Sequence, residues 1–135
     1  MIKKRKVVLF ALIKNSKILL EKRQLKGFTQ TGYYIPGGAV EKWERIENTL
    51  KREVREELGI IPVDFKVLTK NFLSGINNNI LMPFIITSWE GQVPDRVLDS
   101  NYPLEWVDID KSLQLLPKEA SPEIIQAIRK HLQDL

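Results

Sequence analysis

The first third of the chain contains apolar runs of strand length separated by polar turns. Residues 7–13 are apolar and β-branched in part, residues 17–21 have an apolar centre, and the polar turn between them predicts a β-hairpin. A polar loop with glycines follows at 24–32. The Pro-Gly-Gly sequence at 36–38 then predicts a break in regular structure.

The apolar period changes to that of a helix after residue 45. The spacing predicts a helix over 46–58. Gly59 suits the left-handed residue that ends a helix, and Pro62 prevents its continuation. The buried stripe of this helix is expected to consist of Ile46, Leu50, Val54 and Leu58.

The second half of the chain is β-rich and ends in another helix. Residues 63–72 and 80–89 flank a polar turn, and an irregular loop leads to a short strand at 104–107. Ser121 suits the N-cap of the last helix and Pro122 its first position. The order of elements predicts an α/β fold in which helices cover the faces of a mixed sheet. The buried stripe of the last helix is expected to be Ile124, Ile125, Ile128 and Leu132.

Three carboxylates of the first helix are placed unusually. With Glu53 at zero and about 100° per residue, Glu57 lies at about 40° and Glu56 at about −60°. Glu53 and Glu57 therefore border or overlap the apolar stripe. Arg45 and Arg52 fall on the solvated side. Like charges at this spacing repel, so this acidic face (Glu53, Glu56, Glu57) predicts a bound divalent cation. The alternative is a solvated helix with ordinary charge pairs.

Composition narrows the class of protein. The chain has 135 residues and is expected to form one domain, 1–135. The absence of cysteine excludes a disulfide scaffold and a thiolate zinc site, which fits a cytoplasmic protein. No apolar run approaches the roughly 20 residues that span a bilayer, so no membrane partner is expected.

The charge balance is modestly positive. The net charge of +4 is compatible with phosphate-bearing ligands. The basic residues 3–6 are expected to protect a strand edge and keep the terminus soluble, and contact with nucleic acid is the less favoured alternative.

The motif from Gly38 through Glu44 to the segment 52–60 resembles the Nudix box, with each defining position filled. Further similarities to MutT-type members cover most of the chain. They are Lys22-Arg23, Ile35-Pro36-Gly37-Gly38, Trp89-Glu90-Gly91 and Glu105-Trp106. The resemblance implies a Nudix α/β/α sandwich and the hydrolysis of a nucleoside diphosphate linked to another group. It also implies a divalent cofactor, Mg²⁺ with Mn²⁺ as an alternative.

The resemblance assigns roles to the residues of the box. It implies that the acidic face binds the metal together with a carbonyl of Gly37 or Gly38, and that Glu53 is the best candidate for general base. Arg52 would orient the carboxylates by ion pairing. Glu44 would steady the loop before the helix. A further metal-binding acid is expected at Asp99, with Asp95 as the fallback.

Two residues depart from the pattern of the box. Thr49 stands at the place of a common alanine. Trp43 replaces a glycine, and since tryptophan does not readily adopt a positive φ, the loop conformation is in question. An alternative is that Trp43 covers the site.

The substrate is predicted less directly. The resemblance implies Arg23 and Ser121 as candidate contacts for a nucleotide, a small-molecule partner, and Tyr34 could stack on its base; for Ser121 the role of a helix cap is favoured. The leading hypothesis is a MutT-like pyrophosphohydrolase of (d)NTPs, including oxidised ones such as 8-oxo-dGTP. The alternatives are hydrolysis of ADP-ribose, a dinucleoside polyphosphate or an RNA 5′ end, or a non-catalytic nucleotide-binding module. The sequence leaves open whether the protein is a monomer or a homodimer.

Overall fold

A computed structural model of the protein describes residues 5–24, 31–69, 73–74 and 79–134. Its elements in chain order are β1 (Lys6–Lys14), β2 (Lys17–Gln24), β3 (Thr31–Tyr34), β4 (Gly37–Ala39), α1 (Ile46–Leu58), β5 (Ile61–Val67), β6 (Leu73–Ser74), β7 (Ile80–Glu90), β8 (Leu104–Asp108), α2 (Ile109–Leu115) and α3 (Ser121–Gln133). The longest helices in these ranges have 13 residues, and none is long and apolar enough to cross a membrane.

The strands form one mixed sheet that opens around β4. Its main path runs β3-β2-β1-β7-β5, with β1 parallel to β7 and the other neighbours antiparallel. The end of β1 pairs with β2 from Ile13 onward, whereas its start pairs with β4 in the register Val8 to Gly38. β8 continues the sheet on the other edge of β2. β1 thus changes partners along its length, from β4 at its start to β2 at its end.

Alternating residues of β1 supply two hydrophobic clusters, one on each face of the sheet. Phe10 and Leu12 pack in a cluster with Leu50 and Val54 of α1. Ile13 belongs to the other cluster, with residues of α2 and α3. Strand parity thus places helices on both faces, which confirms the predicted α/β/α arrangement around a mixed sheet.

The helix predicted over 46–58 is confirmed, and Gly59 after it is left-handed with φ of 66°. The predicted break at 36–38 is confirmed in part: residues 35–36 have no regular structure, but Gly37–Ala39 pairs with β1 as β4. Pro62 ends no element but lies in β5, at the edge of the sheet, where the absence of a backbone N–H is tolerated. Helix α2 is missing from the sequence prediction, since seven residues give too short a pattern to distinguish from a loop.

The start of the last helix also differs from the prediction. Ala120, with φ of 65°, is the residue before α3, and the hydroxyl of Ser121 makes no cap hydrogen bond. Ser121 is instead the first helical residue and is buried. Most of the predicted loop at 24–32 and of the turn at 74–79, and the basic residues 3–4, lie outside the described residues.

Candidate active site

The loop before α1 is fixed by a paired contact between Arg52 and Glu44. Arg52 Nε donates to Glu44 Oε2 at 2.7 Å, and Nη2 donates to Oε1 at 2.9 Å. Glu44 also accepts the hydroxyl hydrogen of Thr49 at 2.6 Å and the backbone N–H of Glu41 at 3.1 Å. These donors lower the pKa of Glu44 to about 2. The departure at Thr49 therefore adds a hydrogen bond to this contact.

The same guanidinium reaches two carboxylates of the acidic face. Arg52 Nη1 donates to Glu53 Oε1 at 2.8 Å and to Glu56 Oε2 at 3.2 Å, while Nη2 also contacts the Ala39 carbonyl at 3.2 Å. The Arg52 side chain is only 21% exposed, so its predicted place on the solvated side is wrong. A long side chain can fold back over its own helix, which a count of angles does not take into account.

Glu57 is the most buried carboxylate of the acidic face. It is 7% exposed, and its Oε2 has no hydrogen-bond partner among the described residues. Burial, followed by the charges of Glu21, Glu53 and Asp99, raises its pKa to about 9. Burial also raises the pKa of Glu53. The fold alone therefore disfavours the charged form of Glu57, and a bound cation would favour it.

The backbone of β4 lies directly against Glu53. A Cβ atom on Gly38 would overlap the Glu53 carboxylate, and one on Gly37 would overlap the Val8 carbonyl. Only glycine allows this approach of strand and helix. Gly38 thus lies beside the acidic face, and Gly37 lies against β1.

A turn after β7 brings Asp99 to the same place. The Leu98 N–H donates to the Glu57 carbonyl at 2.8 Å, which ties the turn to the end of α1. The negative charge of Asp99 raises the pKa values of Glu53 and Glu57. Asp95 is placed differently, since its carbonyl accepts the N–H of Leu104 and joins the loop to β8.

Sequence reasoning missed Glu21. This residue of β2 is 1% exposed, burial raises its pKa, and it interacts electrostatically with Glu57 and Asp99. Strand parity could have revealed it, because Glu21 is two residues after Leu19 and so shares the face that packs towards α1. An acid at a buried position of a strand is itself a signal.

A cleft of about 510 Å³ begins at β4 and extends towards α3. Arg23, Tyr34 and Ser121, the three candidate substrate contacts, all line it. Trp43 does not cover the site, because 93% of its surface is exposed. Trp43 nevertheless adopts φ of 70°. The loop therefore has the left-handed conformation at this position, although the residue is not glycine.

The donor set of the acidic face fits a divalent cation. Mg²⁺ takes a few carboxylate oxygens and completes its shell with waters and phosphate oxygens. The unpaired, buried Oε2 of Glu57 is such an oxygen. Among the described residues, no group of three or more acidic or histidine side chains is arranged to hold a metal ion by itself, and Arg52 holds Glu53 and Glu56. A cation at this site would therefore need further ligands, such as waters or phosphate oxygens.

Comparisons with known proteins agree with this geometry. A family model described as NUDIX domain matches residues 3–130. The 8-oxo-dGTP diphosphatase of Buchnera aphidicola subsp. Schizaphis graminum is 30% identical over 106 residues, which cover 77% of each chain. Nucleoside triphosphatase NudI of Escherichia coli K12 is 43% identical over 61 residues, 38% of this chain and 43% of that protein.

The fold itself is also found among solved structures. The MutT NUDIX hydrolase from Burkholderia pseudomallei superposes with a TM-score of 0.73 at 23% identity, over 93% of this chain and 98% of that one. This chain therefore belongs to the Nudix family, among its MutT-like hydrolases.

Proposed function

We propose that the protein hydrolyses nucleoside triphosphates to a nucleoside monophosphate and pyrophosphate, with Mg²⁺ as cofactor and Mn²⁺ as an alternative. Oxidised deoxynucleotides such as 8-oxo-dGTP are the leading substrates. The names of the relatives support this choice, since they are 8-oxo-dGTP diphosphatases and a nucleoside triphosphatase. The absence of cysteine favours a cytoplasmic location.

The observation that carries the proposal is the position of the acidic face beside the cleft. Gly38 belongs to both, because it lines the cleft and lies directly against the Glu53 carboxylate. A nucleotide whose base and sugar enter the cleft would thus present its phosphates to Glu53 and Glu57. Arg23, Tyr34 and Ser121 would contact the nucleotide from the cleft side.

The residues supply positioning and a proton acceptor for an in-line displacement. The bound cation would neutralise phosphate charge and lower the pKa of the attacking water. Glu53, whose pKa burial raises, accepts the proton as the water oxygen bonds to phosphorus. The bridging P–O bond breaks and its electron pair stays with the leaving phosphate oxygen. Arg52 restrains Glu53 and Glu56 throughout, since it hydrogen-bonds both.

A substrate panel tests the proposal. Normal dNTPs, 8-oxo-dGTP, ADP-ribose, a dinucleoside polyphosphate and a 5′-triphosphate RNA are incubated with Mg²⁺ or with EDTA, and pyrophosphate and phosphate are measured. We expect fast, Mg²⁺-dependent release of pyrophosphate from a nucleoside triphosphate. Rapid cleavage of ADP-ribose or RNA with negligible turnover of every nucleoside triphosphate would overturn the assignment.

The variant Glu53→Gln separates catalysis from binding alone. It keeps the shape of the side chain but removes the proton acceptor, so turnover should fall by roughly 10²- to 10⁴-fold. Glu105→Gln is the matched control, because Glu105 is exposed on β8 and bonds Tyr33. An unchanged rate in Glu53→Gln would mean that hydrolysis does not depend on this site.

A further inference from the structure

The guanidinium of Arg23 is held by three side chains from three parts of the chain. Glu21, two residues earlier on β2, forms an ion pair with it. The Arg23 Cζ lies 5.5 Å from the ring centre of Tyr34 and 5.2 Å from that of Tyr102. Such distances are those of cation–π contacts. We call Glu21, Tyr34 and Tyr102 the Arg23 clamp.

The clamp buries one part of Arg23 and leaves another part open. Nε is buried and has no hydrogen-bond partner among the described residues, yet the side chain as a whole is 40% exposed and lines the cleft. The stem is therefore enclosed while the end of the guanidinium faces the cleft. A planar fork fixed in this way can offer its free N–H groups to an anion in one orientation.

The clamp lies next to the acidic face. The charge of Glu21 contributes to the raised pKa of Glu57, and the charge of Arg23 acts in the opposite direction. A nucleotide whose phosphates lie over Glu57 therefore passes beside Arg23. Phosphate oxygens are the acceptors that a guanidinium binds most strongly.

Glu21 does not serve stability at this position. It is 1% exposed, its Oε2 has no hydrogen-bond partner in the described part of the chain, and the carboxylates nearby repel it. Desolvation of a buried ion pair commonly exceeds its Coulombic gain, and Arg23, which is 40% exposed, would stay in contact with water if Glu21 were neutral, so an uncharged side chain of the same size should cost little stability. The contact that Glu21 makes to Arg23 is the feature that a neutral residue could not reproduce.

We propose that Glu21 is a positioning residue, which with Tyr34 and Tyr102 holds Arg23 in the orientation that binds a phosphate oxygen of the nucleotide. The inference rests on the proposed function, in which Arg23 contacts the substrate. In this assignment Glu21 acts through Arg23 and not directly on the substrate or the cation. Its effect should therefore be seen in substrate affinity and in the order of Arg23, rather than in chemistry or metal binding.

The order of Arg23 can be measured without turnover. In ¹⁵N–¹H spectra of the free protein, the buried Arg23 Nε–H should give a sharp, slowly exchanging signal, assigned by its loss in Arg23→Lys. We expect Glu21→Gln to broaden this signal or move it towards that of a solvated arginine. An unchanged signal in Glu21→Gln would overturn the proposal, even if the wild type hydrolyses no triphosphate tested.

Kinetics provide the second readout if the wild type is active. Glu21→Gln should raise KM for the nucleoside triphosphate by roughly tenfold while kcat changes by less than about twofold. The midpoint of urea unfolding should not fall, and Mn²⁺ binding measured by electron paramagnetic resonance should be unchanged. Tyr102→Leu should raise KM in the same direction by a smaller factor, because one stacking face is lost.

An effect of Glu21→Gln on metal binding without an effect on KM would identify a different role for Glu21. Weaker Mn²⁺ binding with unchanged KM would mean that Glu21 acts on the metal site, and the proposal would be wrong. The matched control is Glu105→Gln, an exposed carboxylate on the neighbouring strand β8, which should leave the Arg23 signal and KM unchanged. If Arg23→Lys also leaves KM unchanged, Arg23 does not bind the substrate and the clamp has no such function.

Discussion

At the scale of single residues, the site is characterised by acids that the protein alone does not neutralise. Glu44 receives four donated hydrogen bonds and has a low pKa, whereas Glu57 is buried with an unpaired oxygen and has a high one. These different environments indicate different functions for Glu44 and Glu57. Glu44 fixes a loop, and Glu57 is available to a cation.

The stability of the metal-free protein should depend on pH through Glu57. Its folded pKa of about 9 is above the ordinary value of 4.5, so between these pH values the folded state binds more protons than the unfolded state. Stability should therefore fall as pH rises through this window. Glu21, Glu53 and Asp99 face the group with like charge, and Arg23 with opposite charge.

Urea unfolding in EDTA at pH 5 and pH 8 measures this effect. We expect the wild type to be less stable at pH 8, Glu57→Gln to show a smaller decrease, and Mg²⁺ to restore wild-type stability at pH 8. Equal pH dependence in the wild type and in Glu57→Gln would contradict the prediction.

The backbone conformation of Trp43 has an energetic cost. It has φ of 70° and is 93% exposed, so it has little packing to compensate for left-handed strain of about 1 kcal/mol. Trp43→Gly should raise the free energy of unfolding by about 0.5–1 kcal/mol. Trp43→Ala is the control, since its Cβ retains the strain. A loss of stability in Trp43→Gly would indicate that the indole makes contacts that matter.

At the scale of elements, one arginine joins the β4–α1 loop to the helix. Arg52→Lys keeps the charge but cannot contact both Glu44 oxygens. We expect a loss of about 1–3 kcal/mol in the free energy of unfolding and a fall in turnover of tenfold or more. Lys51→Ala is the comparison, because Lys51 makes an exposed pair with Glu47 and a contact over the Phe65 ring, and its loss should cost less than about 1 kcal/mol. Equal effects in both variants would refute the prediction.

The approach of β4 to α1 is a second element-level constraint. A methyl group on Gly38 would overlap the Glu53 carboxylate, so Gly38→Ala should displace Glu53 and lower turnover by roughly 10²-fold. Gly38→Ala should also lower the free energy of unfolding. The loss should be smaller when Gly38→Ala is made in the Glu53→Ala variant, because the obstructing carboxylate is absent there. The same loss of stability in both backgrounds would show that the overlap is not the cause.

At the scale of the whole molecule, one sheet joins two clusters of the core. Ile125 of α3 is completely buried in one of them. Ile125→Ala should lower the free energy of unfolding by about 3 kcal/mol, while unfolding monitored at α1 and at α3 stays coincident because the sheet couples both faces. Leu113→Ala, at a 36% exposed position, should have a much smaller effect. Separate transitions on the two faces would contradict this coupling.

Local signals determined much of the fold in advance. Helix α1 was predicted at its observed bounds, because a strong 3.6-residue period and a terminal Gly59 act within the segment itself. The paired strands of the first hairpin were predicted because their apolar runs and the polar turn between them are also local signals. β4 and α2 were missed, since three-residue and seven-residue elements form only through the contacts that the rest of the chain provides.

The sequence alone therefore determined the acidic face and the family of this protein, since Glu53, Glu56 and Glu57 are brought to one side by the geometry of a single helix. Only the tertiary structure decided what surrounds that face. Glu21 arrives from β2 and Asp99 from a turn after β7, and both are distant along the chain from Glu57. Spacing within one helix is fixed by backbone geometry, whereas the order of strands depends on burial of the whole core, which no single segment encodes.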